Sequence, residues 1–215
     1  MEPEILLRLA KKQISKGELT ESVESDFTLL PSVIAGVSSS KASVRYGCAS
    51  VLVNLSAKHP EKLYSNFGFF VSLLSSKHRI LVWNGMAAIA NLCIADSDKK
   101  FDAIFDKYYG FLGDEYMVTV ANIVGNSPRI VRAKPYLASK VTEKLLGVEK
   151  ISTTPHLTEE CKRVVAEKTV EAFGDFFDLL SNAERTRVLA FVKAQADSPR
   201  ASLRNEVQRF LERWV

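Results

Sequence analysis

SSKASVRYGCASVL at residues 39–52 and SPRASLRNEVQRFL at residues 198–211 decide the fold. Ser39, Ala42, Ser43, Arg45 and Leu52 recur as Ser198, Ala201, Ser202, Arg204 and Leu211, while Lys41 and Val44 have close counterparts in Arg200 and Leu203. The two stretches lie 159 residues apart, at opposite ends of a 215-residue chain. Self-similarity at such a distance is the mark of a repeat architecture, in which each small unit buries its apolar face against the next.

The periodicity inside the stretch recurs between its two ends. Val44, Cys48, Val51, Leu52 and Leu55 are spaced as one face of an α-helix. Leu81, Gly85, Ala88, Ile89 and Leu92 repeat that spacing 37 residues on, followed by Val165, Thr169, Ala172, Phe173 and Phe176, and by Leu203, Val207, Phe210, Leu211 and Trp214. A further copy ends in Val120-Ala121-Asn122-Ile123, matching Leu52-Val53-Asn54-Leu55 and Ile89-Ala90-Asn91-Leu92. Helices of like spacing lie between these, one through Leu63, Phe67, Phe70, Val71 and Leu74, the next through Phe101, Phe105, Tyr108, Tyr109 and Leu112. Pro60 stands where such a helix begins, as a first helical residue, and Asp98 as a cap. The unit is a helix, a tight turn and a second helix, and no alternating strand pattern competes with it.

A degenerate motif of this form resembles the HEAT repeats of the ARM/HEAT-type α-solenoid family. Val44-Arg45 and Leu203-Arg204 match the family's Val-Arg step at the start of the second helix, whereas Leu81-Val82 and Val165-Ala166 lose the arginine. The resemblance runs from about Asp26 to the end. It implies an all-α, right-handed α-α superhelix of roughly eleven helices in about five repeats, a single domain over residues 1–215. Residues 1–25 are expected to be an N-terminal capping helix region, with the helix over Glu4 to Ser15. Residues 147–156, GVEKISTTPH, carry no helical period and are expected to form a longer inter-repeat loop, an insertion rather than a site.

Composition agrees with a packed, water-facing protein. Hydrophobic residues make up 47% of the chain, enough for a core, and 7 Pro and 10 Gly are too few for a low-complexity chain. The opening MEPEILLRLAKKQ does not read as a signal peptide, and no apolar run nears the roughly 20 residues that span a bilayer. Cys48, Cys93 and Cys161 are few, odd in number and far apart, which fits buried, reduced thiols and a cytoplasmic location.

Nothing in the sequence assembles a catalytic or cofactor site. His59, His78 and His156 all fall in predicted turns without metal-ligand spacing, and no nucleophile elbow, phosphate loop or dinucleotide fingerprint occurs. Glu159-Glu160 opens a helix, where negative charge suits the dipole. Asn54, Asn91 and Asn122 recur at one repeat position and read as a row bonding backbone of neighbouring turns. Arg45 and Arg204 read alike, and are expected to be largely buried on turn carbonyls or acids of the adjacent unit. No cofactor is therefore expected, and the chain reads as a non-enzyme.

The HEAT resemblance implies that the second helices line the concave face and that this face binds. Its positions are then Tyr46 in the first unit, Trp83, Met86 and Ala90 in the second, and Met117, Val118 and Ala121 in the third, largely apolar and uncharged. Tyr46, Trp83, Met86 and Met117 are the expected anchors for another protein or a peptide, unless they pack between units instead. An obligate interface in a larger assembly would use the same apolar face. The competing partner is nucleic acid. The segment from Val124 to Lys150 holds the chain's whole net charge of +4, and Arg129, Arg132, Lys134 and Lys140 are its candidate phosphate ligands. HEAT-like folds include DNA glycosylases of the AlkD type. Against that reading, the inner positions of the first three units carry no basic stripe, and no aspartate stands near Trp83.

Overall fold

The computed structural model describes residues 4–215, in two compact units, Met1–Asp98 and Lys99–Val215. The first contains α1 (Glu4–Ala10), α2 (Lys16–Ser25), α3 (Leu30–Gly36), α4 (Ala42–Lys58), α5 (Pro60–Leu63), α6 (Phe67–Leu73) and α7 (Arg79–Leu92). The second contains α8 (Lys100–Tyr109), α9 (Met117–Ala133), α10 (Ala138–Leu146), α11 (Glu159–Phe176), α12 (Asn182–Ala194) and α13 (Ala201–Trp214). Among the described residues the only β-type pairing is an isolated bridge between Thr154 and Leu157. The fold class is all-α.

The repeat register is visible in the turns. Ahead of each second helix a side-chain oxygen accepts from the backbone N–H two residues on: Ser39 from Lys41, Ser76 from His78, Asp114 from Tyr116, Thr154 from His156 and Ser198 from Arg200, at 2.9–3.3 Å. Such side-chain turns end one chain direction and start the next. Successive turns are 37, 38, 40 and 44 residues apart. Arg45 donates to the carbonyl of Ser39 at 2.9 Å, and Arg204 donates to that of Ser198 at 2.6 Å, the same bond in the first and last repeat. The expected burial of these two arginines does not hold: Arg45 is half-buried and Arg204 exposed. Each reaches back over its own turn, which lies at the surface.

The second helices form the inner packing of each unit. In the first, α4 packs on α7, and α7 also on α6; in the second, α11 packs on both α9 and α13. Their predicted stripes are the core, from Val44, Cys48, Val51 and Leu55 to Val165, Thr169 and Phe173, each at most 1% exposed. Burying an aliphatic or aromatic side chain of this kind contributes about 1.5–3 kcal/mol before conformational entropy is counted. Thr169 keeps its hydroxyl satisfied on the Val165 carbonyl at 2.8 Å. Gly85 sits in the α7 stripe where space is short: a Cβ there would meet the Phe70 carbonyl and Leu73 at 3.0 Å, so any larger residue would have to push α6 back by a few tenths of an ångström.

Three local expectations are corrected. The N-terminal helix stops at Ala10, and a further helix, α2, follows it, opened by a capping box in which Ser15 and Glu18 exchange bonds. With α5 and α6 counted as one interrupted rod, this makes twelve rods among the described residues. Asp98 does not cap α8; Lys99 occupies that position with a left-handed φ of 56°. Finally, Gly147–Lys150 is not loop but a 3-10 turn extending α10, which leaves 151–158 as the connection.

Candidate functional site

The second unit opens a groove of about 380 Å³ between α9 and α11. Met117, Val118 and Ala121 line it from α9, and Lys168, Glu171 and Asp175 from α11. Met117 is half-buried and Val118 40% exposed, so one wall offers apolar surface to solvent. The other wall is charged. Lys168 is paired with Glu171 one turn on, whereas the exposed Asp175 takes part through its carbonyl, which accepts from Arg132. Asn122 hangs from α9 with its amide N–H on the Val118 carbonyl at 2.8 Å, which leaves its side-chain oxygen as an acceptor.

Gly125 and Pro128 also line this groove, and both are unusual inside a helix. A Cβ at Gly125 would meet nothing within 4 Å, and its backbone is not left-handed. Neither crowding nor conformation requires glycine there, although glycine weakens a helix interior. What its missing side chain leaves is open space in the groove.

Tyr46, Trp83 and Met86 are placed differently from one another. Tyr46 is half-buried: the Arg45 guanidinium lies 4.7 Å above its ring and donates to its hydroxyl at 3.4 Å, and the His78 ring meets its edge at 6.1 Å. Burial, then the charges of Arg45 and Lys77, holds the His78 pKa below its ordinary value. Trp83 is half-buried. Met86 is fully buried, and this corrects its assignment as a surface anchor. The physical reason is that α7 is covered on two sides, by α4 and by α6, so the residue opposite the first stripe is core as well. Met117, the fourth expected anchor, does reach a groove.

The basic segment is largely neutralised. Arg132 makes a two-pronged bond to the Asp178 carboxylate at 2.8 and 2.9 Å and clamps the end of α9 to the turn after α11. Lys134 is buried, 3.7 Å from Asp102 and 3.2 Å from the Tyr136 hydroxyl. Only Arg129 and Lys140 of the four candidates face solvent without a carboxylate partner among the described residues, and they lie on different helices, α9 and α10. The asparagine row is likewise uneven: Asn91 bonds the Val53 carbonyl across the repeat at 3.3 Å, Asn122 bonds its own helix, and Asn54 is exposed.

Other residues singled out in the sequence have structural settings. The 151–158 connection is pinned to the start of α9: Thr154 donates to the Glu115 carbonyl at 2.7 Å, and the His156 and Tyr116 rings stack at 4.3 Å, 9° from parallel. Cys48 and Cys93 are buried, but Cys161 is only half-buried, beside Thr158 at the start of α11. Among the described residues no cluster of three His, Cys, Asp or Glu could hold a metal ion, and no helix is long and apolar enough to cross a membrane.

No protein-family model matches the chain, and no curated protein matches it. Solved structures do. A designed armadillo repeat protein in complex with the peptide (KR)4 aligns at a TM-score of 0.65 and 14% identity, covering 98% of this chain and 91% of that one. A second designed armadillo repeat protein aligns at 0.61 and 17% identity, over 96% and 90% of the two chains. A computationally designed set made for modular peptide recognition gives 0.63 and 17%, again over 96% and 90%. At such identities the likeness is one of fold, and the fold is an ARM/HEAT-type helical repeat solenoid.

Proposed function

We propose that this chain is a non-catalytic scaffold that binds a peptide segment of another protein along its second helices, with the α9–α11 groove as the contact surface. The observation that carries the reading is that groove: about 380 Å³, one apolar wall with Met117 and Val118, one charged wall, and a glycine where the helix itself has no use for one. A volume near the lower end of the range for ligand clefts has room for one or two peptide side chains. Peptide recognition by the designed armadillo proteins of like fold supports the same choice of partner.

Nucleic-acid binding through the basic segment is the weaker reading. Phosphate affinity scales with the number of cations that can be neutralised by the ligand, and Arg132 and Lys134 are held by carboxylates already. Three cysteines spaced far apart along the chain fit a cytoplasmic setting.

The test uses a displayed peptide library selected on the wild-type chain, with the enriched peptides then measured on Gly125→Leu. Loss of binding by a folded variant is expected. Selection of no peptide, or undiminished binding to the variant, refutes the assignment.

A further inference from the structure

A second recess lies in the first unit, with two exposed lysines among its lining residues. It measures about 620 Å³ and lies between the turn joining α1 to α2 and the start of α4. Leu9, Ala42 and Gly47 contribute apolar surface, while Lys12, Lys16 and Tyr46 contribute polar groups. Lys12 and Lys16 are exposed, and neither makes an ion pair among the described residues. The one carboxylate in the recess, Glu18, accepts from the Ser15 backbone at 2.7 Å in the capping box. The Tyr46 hydroxyl accepts from Arg45, which leaves its own proton to be donated. The recess thus sets two lysines without an ion pair, and a hydroxyl proton, against one carboxylate already engaged in a cap.

The backbone at Lys12 adds an independent observation. Helix α1 ends in a Schellman pattern: Gln13 donates to the Arg8 carbonyl at 2.9 Å and Lys12 to that of Leu9 at 3.1 Å. Lys12 takes the left-handed position, with φ of 57°. Glycine is the usual residue there, because an L side chain in this conformation crowds its own backbone. The chain has a lysine instead, at the rim of the recess.

We infer that this recess docks an acidic peptide segment, with an aliphatic side chain on Leu9 and Ala42 and carboxylates on Lys12, Lys16 and the Tyr46 hydroxyl. The Arg45 stack and the His78 edge hold the Tyr46 ring in place beforehand, so little ordering remains for binding. A peptide fits better than nucleic acid, since two lysines over an apolar floor are few for a phosphate backbone. The inference concerns a site distinct from the α9–α11 groove and does not depend on it.

The experiment is fluorescence anisotropy on the full chain, with a short labelled peptide alternating glutamate and leucine, and with its glutamine–leucine counterpart. The acidic peptide is expected to bind at least about tenfold more tightly. Its affinity should fall as the Debye length shortens from about 10 Å at 0.1 M salt to about 3 Å at 1 M. Lys12→Glu with Lys16→Glu should lose at least about tenfold, while Gly125→Leu should leave the affinity unchanged. If the glutamates disturb the fold, Lys12→Gln with Lys16→Gln carries the same expectation. No binding of the acidic peptide, equal binding of both peptides, or full affinity in the lysine variants overturns the inference. So does a single-stranded oligonucleotide that binds more tightly than the acidic peptide and is lost in the same variants.

Discussion

Gly125 is the ninth of the seventeen residues of α9 and is exposed. In an exposed helix interior glycine costs about 0.5–1 kcal/mol relative to alanine, because it gives up more backbone freedom on folding and covers none of the backbone. An added Cβ meets nothing within 4 Å, so no steric term offsets the gain. Gly125→Ala should therefore stabilise the protein by about 0.5–1 kcal/mol. For a chain of this size that is a rise in melting temperature of about 1–4 °C, taking about 2–4 °C per kcal/mol. Gly125→Leu keeps nearly the same helix preference but sets a branched side chain into the groove. Its stability should match or exceed wild type, while groove-selected peptides lose at least about tenfold in affinity. Far-UV circular dichroism melts give the first quantity and isothermal titration the second. A drop in melting temperature for Gly125→Ala would refute the reasoning: it would mean the glycine serves to accommodate Pro128, whose ring in a regular helix would crowd the Val124 carbonyl one turn back.

Met86 and Met117 should separate in urea titrations: Met86→Ala should cost about 2–5 kcal/mol as a filled core position, and Met117→Ala less than about 1 kcal/mol but with weakened peptide binding. Tyr64 donates to the buried Asp96 carboxylate at 2.6 Å, and burial first, then that bond, raises its pKa well above the ordinary 10. A folded pKa raised above the unfolded one gives stability that is complete below about pH 10 and is lost as the pH climbs beyond it. Tyr64→Phe should remove that alkaline loss and, near neutral pH, cost about 1–3 kcal/mol by leaving the carboxylate short of a donor. Asp178 has the opposite sign: its bonds from Arg132 hold its pKa below 3.8, so their contribution is present above about pH 4 and fades as the pH falls. Arg132→Gln should thus be less stable than wild type at neutral pH, with the two melting curves converging in acid.

What the sequence made legible was whatever a single helix can express. The stripes through Val44, Leu81 and Val165 are the observed core because helical spacing alone places a residue on a face, while the last stripe is buried at Leu203, Val207 and Phe210 and half-buried at Leu211 and Trp214. How many neighbours cover that helix is not written in its own spacing, and so the surface assignment of Met86 failed under α4 and α6. Helix α2 was within reach, since Ser15 and Glu18 have capping-box spacing, but Gly17 inside it and its weak apolar period hide it. The groove was half legible: helical spacing alone groups Met117, Val118 and Ala121, which line one wall, whereas the opposite wall at Lys168 to Asp175 lies some fifty residues on.

The basic segment misled for a related reason, and here the repeat supplies its own correction. Charges were summed along the chain, but in a stacked array the neighbour of a surface residue lies about one repeat away. Arg132 meets Asp178 across 46 residues, Lys144 meets Asp106 across 38, Arg187 meets Glu143 across 44 and Arg200 meets Glu160 across 40. The turn-to-turn spacing of 37–44 residues covers three of those separations and falls two short of the fourth. A cation in such a chain should therefore be scored against acids one repeat upstream and downstream before it is assigned to a phosphate. By that test Arg132 and Lys144 are structural. Lys12 and Lys16, which lie ahead of the turn at Ser39, meet no such acid among the described residues and stay exposed.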